Sequence, residues 1–260
     1  MPTYKITLEY EGTRYSGWQA QKNAKTVQGT LLQILKQIFG TDNIDLQGAG
    51  RTDAGVHAAA QIASLVTPVA IPPDVLKLKI NDLCPHDINI LKIEQANERF
   101  HARHNAKRRT YIYHISTRRT AFGKNYVWWV KDQLDSKAMR AAAKELNGLH
   151  DFASFGDMKA GGDAKSSKVM VYSTELVDTG SMILFRITAS HFLWKMVRRI
   201  VGVLVEVGRG NIKPEDMKIL LNETNDYPAK FTAPPSGLFL ENVQYDDKDI
   251  LSDIKPLFKV

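Results

Sequence analysis

The chain has 260 residues, of which 43% are hydrophobic and 24% charged, with a net charge of +7. That composition excludes an intrinsically disordered chain, and the length allows one large or two small domains with real cores. A single cysteine, Cys84, excludes intrachain disulfides and thiolate zinc clusters, and no apolar leader or long uncharged apolar run is present, so a cytoplasmic protein without a membrane segment is expected.

Tyr4, Ile6, Leu8 and Tyr10 alternate with Lys5, Thr7 and Glu9, which predicts a strand with one buried face. Thr26 is placed to cap a helix whose apolar stripe is Val27, Leu31, Leu32, Leu35, Ile38 and Phe39, with Gly40 ending it. Strands are expected near 44–48 and 59–66, a helix from Pro72-Pro73 to about Leu83, and a strand over Asp87 to Lys92. The order βαββαβ then recurs. A strand starts at Arg109, a helix lies near 136–147, and strands at 168–177 and 182–189 are joined by Asp178-Thr-Gly-Ser181. A long helix near 191–207, a shorter one from Pro214 to Leu221 and a last strand at 238–245 complete the pass. This doubling predicts an α+β fold of two ferredoxin-like halves, residues 1–105 and 106–260, joined into a continuous antiparallel sheet with a central cleft. Segments 12–25 and 156–167 are Gly-rich and polar, and read as substrate-touching loops or as connectors.

One run stands apart, Gly50-Arg51-Thr52-Asp53-Ala54-Gly55-Val56-His57-Ala58, a lone carboxylate beside an arginine among very small side chains. Glycines at 48, 50 and 55 permit positive φ and a close ligand approach, so Asp53 is the first candidate for catalysis, with Arg51 as one cationic neighbour. The competing reading is an ordinary Asx turn. On the helix near 191–207, Lys195 and Arg199 sit opposite the apolar stripe and Arg198 lies at its boundary, able to send a guanidinium into a cleft toward Asp53 or simply to line a basic surface. No Asp or Glu occurs from Arg99 to Lys131, a stretch with nine cations interleaved with Tyr111, Tyr113, Tyr126, Trp128 and Trp129. Cations for phosphates and rings for bases are what looped RNA requires. Tyr111 is the stacking candidate, although Tyr113 has a similar claim and either ring can equally pack under the sheet.

The seven histidines do not form a metal signature, and neither a Walker loop nor a dinucleotide fingerprint is present, so no metal and no nucleotide cofactor is called for. The residues therefore predict a carboxylate enzyme acting on an anionic polymer, or a plain RNA-binding protein.

Several motifs resemble the tRNA pseudouridine synthase A family almost end to end. They are Tyr10-Glu-Gly-Thr13, Gly17-Trp-Gln-Ala-Gln21, Thr26-Val-Gln28, Gly48-Ala-Gly-Arg-Thr-Asp-Ala-Gly-Val-His57, Phe100-His-Ala-Arg103, His150-Asp-Phe-Ala-Ser-Phe155, Met196-Val-Arg198 and Thr232-Ala-Pro-Pro-Ser-Gly-Leu238. The resemblance implies the pseudouridine synthase fold and isomerisation of uridine to pseudouridine at positions 38, 39 and 40, in the anticodon stem-loop of tRNA. It further implies a homodimer that grips one tRNA across both subunits, and no cofactor. By the same resemblance Asp53 is the catalytic aspartate, Arg51 helps to flip the target nucleotide, Tyr111 stacks on the uracil and Arg198 pairs with the carboxylate.

Overall fold

The computed structural model describes residues 1–157, 166–246 and 251–258. It divides into two compact units, one of Met1–Lys107 with Phe239–Asp249, the other of Arg108–Leu238 with Ile250–Val260. Both mix helices with mostly antiparallel strands, so the fold class is α+β as the patterning predicts.

In the first unit the order is β1 (Thr3–Tyr10), α1 (Val27–Phe39), β2 (Asp45–Gly48), β3 (His57–Val66), α2 (Pro73–Leu83) and β4 (Ile88–Gln95). The sheet runs β4-β1-β3-β2, with Ile6 opposite both Ala63 and Ile93. Tyr4, Ile6, Leu8 and Tyr10 are buried, as their alternation requires. Thr26 does cap α1, its hydroxyl accepting from the Gly29 amide at 3.2 Å, and Gly40 ends the helix in the left-handed region at φ 67°. Because β2 is short, it pairs only with Ala63–Val66 and leaves the start of β3 available. There β10 (Leu238–Gln244) runs parallel to β3, with Phe239 opposite His57 and Leu240 opposite Ala58.

The second unit contains β5 (Arg108–Ser116), β6 (Trp128–Trp129), α3 (Ser136–Lys144), β7 (Gly148–Asp151), β8 (Lys168–Asp178), β9 (Met182–Ala189), α4 (Met196–Gly208) and α5 (Asp216–Asn222). Its sheet runs β5-β9-β8-β7, all antiparallel, with β6 parallel to the end of β5. Neither β6 nor β7 is expected from the sequence. The helix expected near 191–207 begins only at Met196. Lys195 sits in the left-handed region at φ 61°, which stops the helix from extending backwards, and the Met196 amide is instead satisfied by the Leu193 carbonyl at 3.1 Å. Arg199, expected opposite the apolar stripe, is buried and donates to the Gly156 carbonyl at 3.0 Å. Most of the polar segment 156–167 lies outside the described residues.

The end of the chain lies along the second unit. Ile254 and Phe258 pack on Val127, Met182 and Leu184. The Leu257 amide donates to His114 Nε2 at 3.3 Å, and buried Arg186 donates to the Ser252 carbonyl at 2.8 Å. Among the described residues no helix is long and apolar enough to cross a membrane.

Candidate active site

In the first unit, Arg51 and Asp53 sit in the loop between β2 and β3, and the loop is fastened from several sides. Thr52 is turned inward, its hydroxyl 2.8 Å from the Tyr10 phenol, and its carbonyl accepts from the Trp18 amide at 3.1 Å. With Thr52 buried, its neighbours are left toward solvent, Arg51 exposed and Asp53 half-buried. Burial pushes the Tyr10 phenol pKa well up, so this anchor stays a neutral hydroxyl. The Asp53 carbonyl closes a turn by accepting from the Val56 amide at 3.1 Å, the Gly55 amide reaches the Tyr15 carbonyl at 3.2 Å, and the Gln61 side chain donates to the Gly50 carbonyl at 2.9 Å.

Of the three glycines expected to adopt positive φ here, only Gly55 does, at 78°. Gly48 is required for a different reason: the Trp18 indole lies against its backbone, and a β-carbon there would come within 2.6 Å of the ring. Gly17, in the preceding motif, combines φ 88° with a close approach to Thr52, whose carbonyl oxygen would lie 2.5 Å from an added β-carbon. The two motifs, 17–21 and 48–57, are thus one packed construction.

Sequence reasoning missed the polar chain that orients Arg51. Its Nε donates to Gln19 Oε1 at 3.0 Å, and Gln19 Nε2 donates to Gln28 Oε1 at 2.7 Å. Gln28 Oε1 also accepts from the Ala20 amide at 2.8 Å, and Gln28 Nε2 donates to the Leu46 carbonyl at 2.7 Å. In the sequence Gln28 stands out only as part of Thr26-Val-Gln28, and its burial, which makes these bonds necessary, is seen only in the fold. Gln28→Leu keeps the volume but strips partners from the buried Leu46 carbonyl and the partly buried Ala20 amide. The expected loss is about 2 kcal/mol, read as a Tm lower by roughly 4–8 °C in thermal unfolding, with a raised KM for substrate as Arg51 loses its orientation.

Tyr111 and Arg198 belong to the second unit. Tyr111 lies on β5, buried, with its ring edge-on to Phe192 at 5.0 Å between centroids. Arg198 is in the first turn of α4, where its Nε donates to the Ala233 carbonyl at 2.7 Å while the Ala233 amide returns a bond to the Arg198 carbonyl at 3.0 Å. Tyr113 donates to the adjacent Pro234 carbonyl at 2.8 Å, and a β-carbon at Gly237 would come within 2.5 Å of its ring. Burial raises the Tyr113 phenol pKa strongly and the nearby Arg198 charge only partly opposes it. Tyr113 is thus a neutral packing residue. The closing motif Thr232-Ala-Pro-Pro-Ser-Gly237 has a structural role here, as the segment that receives both Arg198 and Tyr113.

A family model described as tRNA pseudouridine synthase matches residues 6–105 and 142–246. The chain belongs to the tRNA pseudouridine synthase family. A tRNA pseudouridine synthase A 2 of Bacillus cereus is 37% identical over 248 residues, covering 94% of this chain and 100% of the relative. Those named tRNA pseudouridine synthase A from Clostridium acetobutylicum and a Thermoanaerobacter species are each 40% identical, with the same 94% and 100% coverage. The chain is accordingly an isomerase acting on uridine in tRNA. Arg51, Asp53 and Arg198 fall within the matched segments, and Tyr111 falls in the interval between them.

Proposed function

We propose that this enzyme converts uridines 38, 39 and 40 of the tRNA anticodon stem-loop to pseudouridine, with Asp53 as the essential carboxylate. The reaction breaks the N1–C1′ glycosidic bond, turns the bound uracil and rejoins it to C1′ through C5, whose proton is released while N1 takes one up. Atoms balance without any external group. The target must first leave the stack, at a cost of a few kcal/mol, which Arg51 helps to meet by assisting the flip of the nucleotide and Tyr111 offsets by stacking on the uracil. Asp53 acts on the ribose, either by adding to C1′ or by taking the C2′ proton, and Arg198 is the cation that pairs with this carboxylate. The enzyme works in the cytoplasm, as a homodimer that holds one tRNA across both subunits.

The observation that carries this reading is the loop around Asp53, whose backbone is tied through Thr52, Gly50, Gly55 and Val56 so that the acidic residue sits on a fixed loop rather than a free turn. The test is to incubate the protein with unmodified tRNA transcripts and map pseudouridine by carbodiimide modification. Conversion confined to other positions overturns the site assignment, release of free uracil indicates a hydrolase, and tight binding without conversion indicates an RNA chaperone.

Arg198→Met is expected to lower kcat by about 100-fold or more, with KM for tRNA changed only a few-fold. Because Arg198 also holds the Ala233 carbonyl, Arg198→Lys serves as the control that restores charge, and it should recover part of kcat in a tritium-release assay on C5-labelled tRNA. Equal loss in both variants would assign Arg198 a purely structural role.

A further inference from the structure

The chain between β5 and β6 forms a feature that the catalytic reading does not use. Arg119, Thr120, Ala121, Lys124, Val127 and Trp129 line a cavity of about 740 Å³ within the second unit. Its walls are built locally and held at both ends. Thr117 is fixed to the β8–β9 hairpin by a hydroxyl bond to the Gly180 carbonyl at 2.8 Å and an amide bond to the Ser181 carbonyl at 3.1 Å. At the far end the Val127 carbonyl accepts from Ser236 at 3.0 Å, and Trp129 pairs in register with Ser116. Between them Thr120 folds the tip by accepting from the Phe122 amide at 3.2 Å.

The chemistry of this cavity is selective. Its titratable lining is two cations and no acid, and among the described residues neither Arg119 nor Lys124 forms an ion pair. Trp129 is 42% exposed and Arg119 stands over its ring at 6.0 Å, while Phe122, 85% exposed, projects from the same loop. The other aromatics of this basic run are occupied, Trp128 by Tyr113 and Tyr126 by Phe258. A partly exposed indole beside two cations that make no ion pair among the described residues fits a planar base with its phosphate, the base entering against the ring where Arg119 now stands, and the volume lies within the range that accommodates a group of that size. The loop lies in the interval between the two segments matched by the family model.

We propose that this cavity takes an unpaired nucleotide of the tRNA substrate, its base on Trp129 and its phosphate between Arg119 and Lys124, as a second grip apart from the nucleotide being isomerised. The proposal rests on tRNA being the substrate, and it concerns affinity rather than chemistry.

The test measures the Kd of unmodified tRNA transcript against KCl concentration for the wild type, for the double variant Arg119→Gln/Lys124→Gln and for Trp129→Leu. The double variant should bind about tenfold more weakly with a log-log salt slope shallower by about 1 to 2, and its KM should rise with Kd. Trp129→Leu should also bind about tenfold more weakly, with the slope unchanged. Wild-type affinity and slope in the double variant overturn the proposal. A loss in the double variant but not in Trp129→Leu overturns it in favour of a bare phosphate contact, and competition by micromolar UMP or inorganic phosphate overturns it in favour of a free small-molecule site. Because the cations and the indole are tested on separate variants, misfolding of one does not carry the result, and circular dichroism checks each. Pseudouridine mapping with the wild type keeps the two readings apart: conversion at 38–40 with unaltered variant binding sinks the cavity alone, while weakened variant binding with conversion elsewhere sinks the site assignment alone.

Discussion

Asp53→Asn should lower isomerisation by about 10⁴-fold or more while leaving tRNA bound with an affinity within about threefold of the wild type or tighter. Asparagine matches aspartate in shape but cannot attack C1′ or accept the C2′ proton at neutral pH. The loop should survive the change, because the bond that closes its turn is made by the Asp53 backbone carbonyl, and the anchors on either side are Thr52, Gly50 and Gly55. Removing a negative charge from a surface that meets a polyanion cannot weaken binding electrostatically, which is why lost turnover and retained affinity should separate so cleanly. Tritium release from C5-labelled tRNA reads the first quantity and filter binding the second. Turnover above a few per cent of the wild type would remove Asp53 from the chemistry, and a large drop in affinity would mean that the carboxylate organises the site rather than reacts in it.

The second large effect is structural. Gly202→Ala places a methyl group inside α4 where it would collide with the carbonyl oxygen of Phe231 and lie 2.5 Å from its carbonyl carbon. Helix propensity favours alanine by about 1 kcal/mol, but overpacking against a rigid neighbour costs about 1–3 kcal/mol and more when the neighbour is backbone. The clash therefore decides the sign. A net loss of about 2 kcal/mol should lower Tm by roughly 4–8 °C. The displaced segment leads directly into Thr232 and Ala233, so the bond from Arg198 to the Ala233 carbonyl should be disturbed as well, and kcat should fall although residue 202 touches no substrate. A Tm equal to or above that of the wild type would show that the turn at Tyr227–Phe231 yields without cost.

What was legible in the sequence is what depends on short-range periodicity and on residue types with one strong habit. The alternation from Tyr4 to Tyr10 and the Thr26 and Gly40 ends of α1 fall in that group, since each is decided within a few residues. The start of α4 was not legible, because Lys195 adopts the left-handed region and lysine has no preference for that conformation. β6 has only two residues and exists through its pairing with Ile115 and Ser116, so no local pattern announces it. Arg199 reads as a solvated cation on a helical wheel, and among the described residues it is the Gly156 carbonyl, distant in the chain, that receives its buried guanidinium. In the candidate site, the run from Gly48 to His57 was visible as an unusual composition. Its support by Tyr10, Trp18 and Gln28 was not, because hydrogen bonds between separate motifs leave no periodic trace.

The parallel pairing of β10 with β3 makes the assembly of the molecule non-sequential. His57, which follows the Asp53 loop directly, stacks on Phe239 at 4.5 Å between centroids, and Phe239 leaves the ribosome only after nearly all of the second unit has been synthesised. The first unit consequently waits, with part of one strand edge unsatisfied, while its neighbour emerges, and its closure is a late, long-range event of the kind that slows folding and invites chaperone capture. A nascent chain halted before that strand should therefore carry the Asp53 loop and its anchors but lack the pairing of His57 and Ala58 that fixes the strand directly after it.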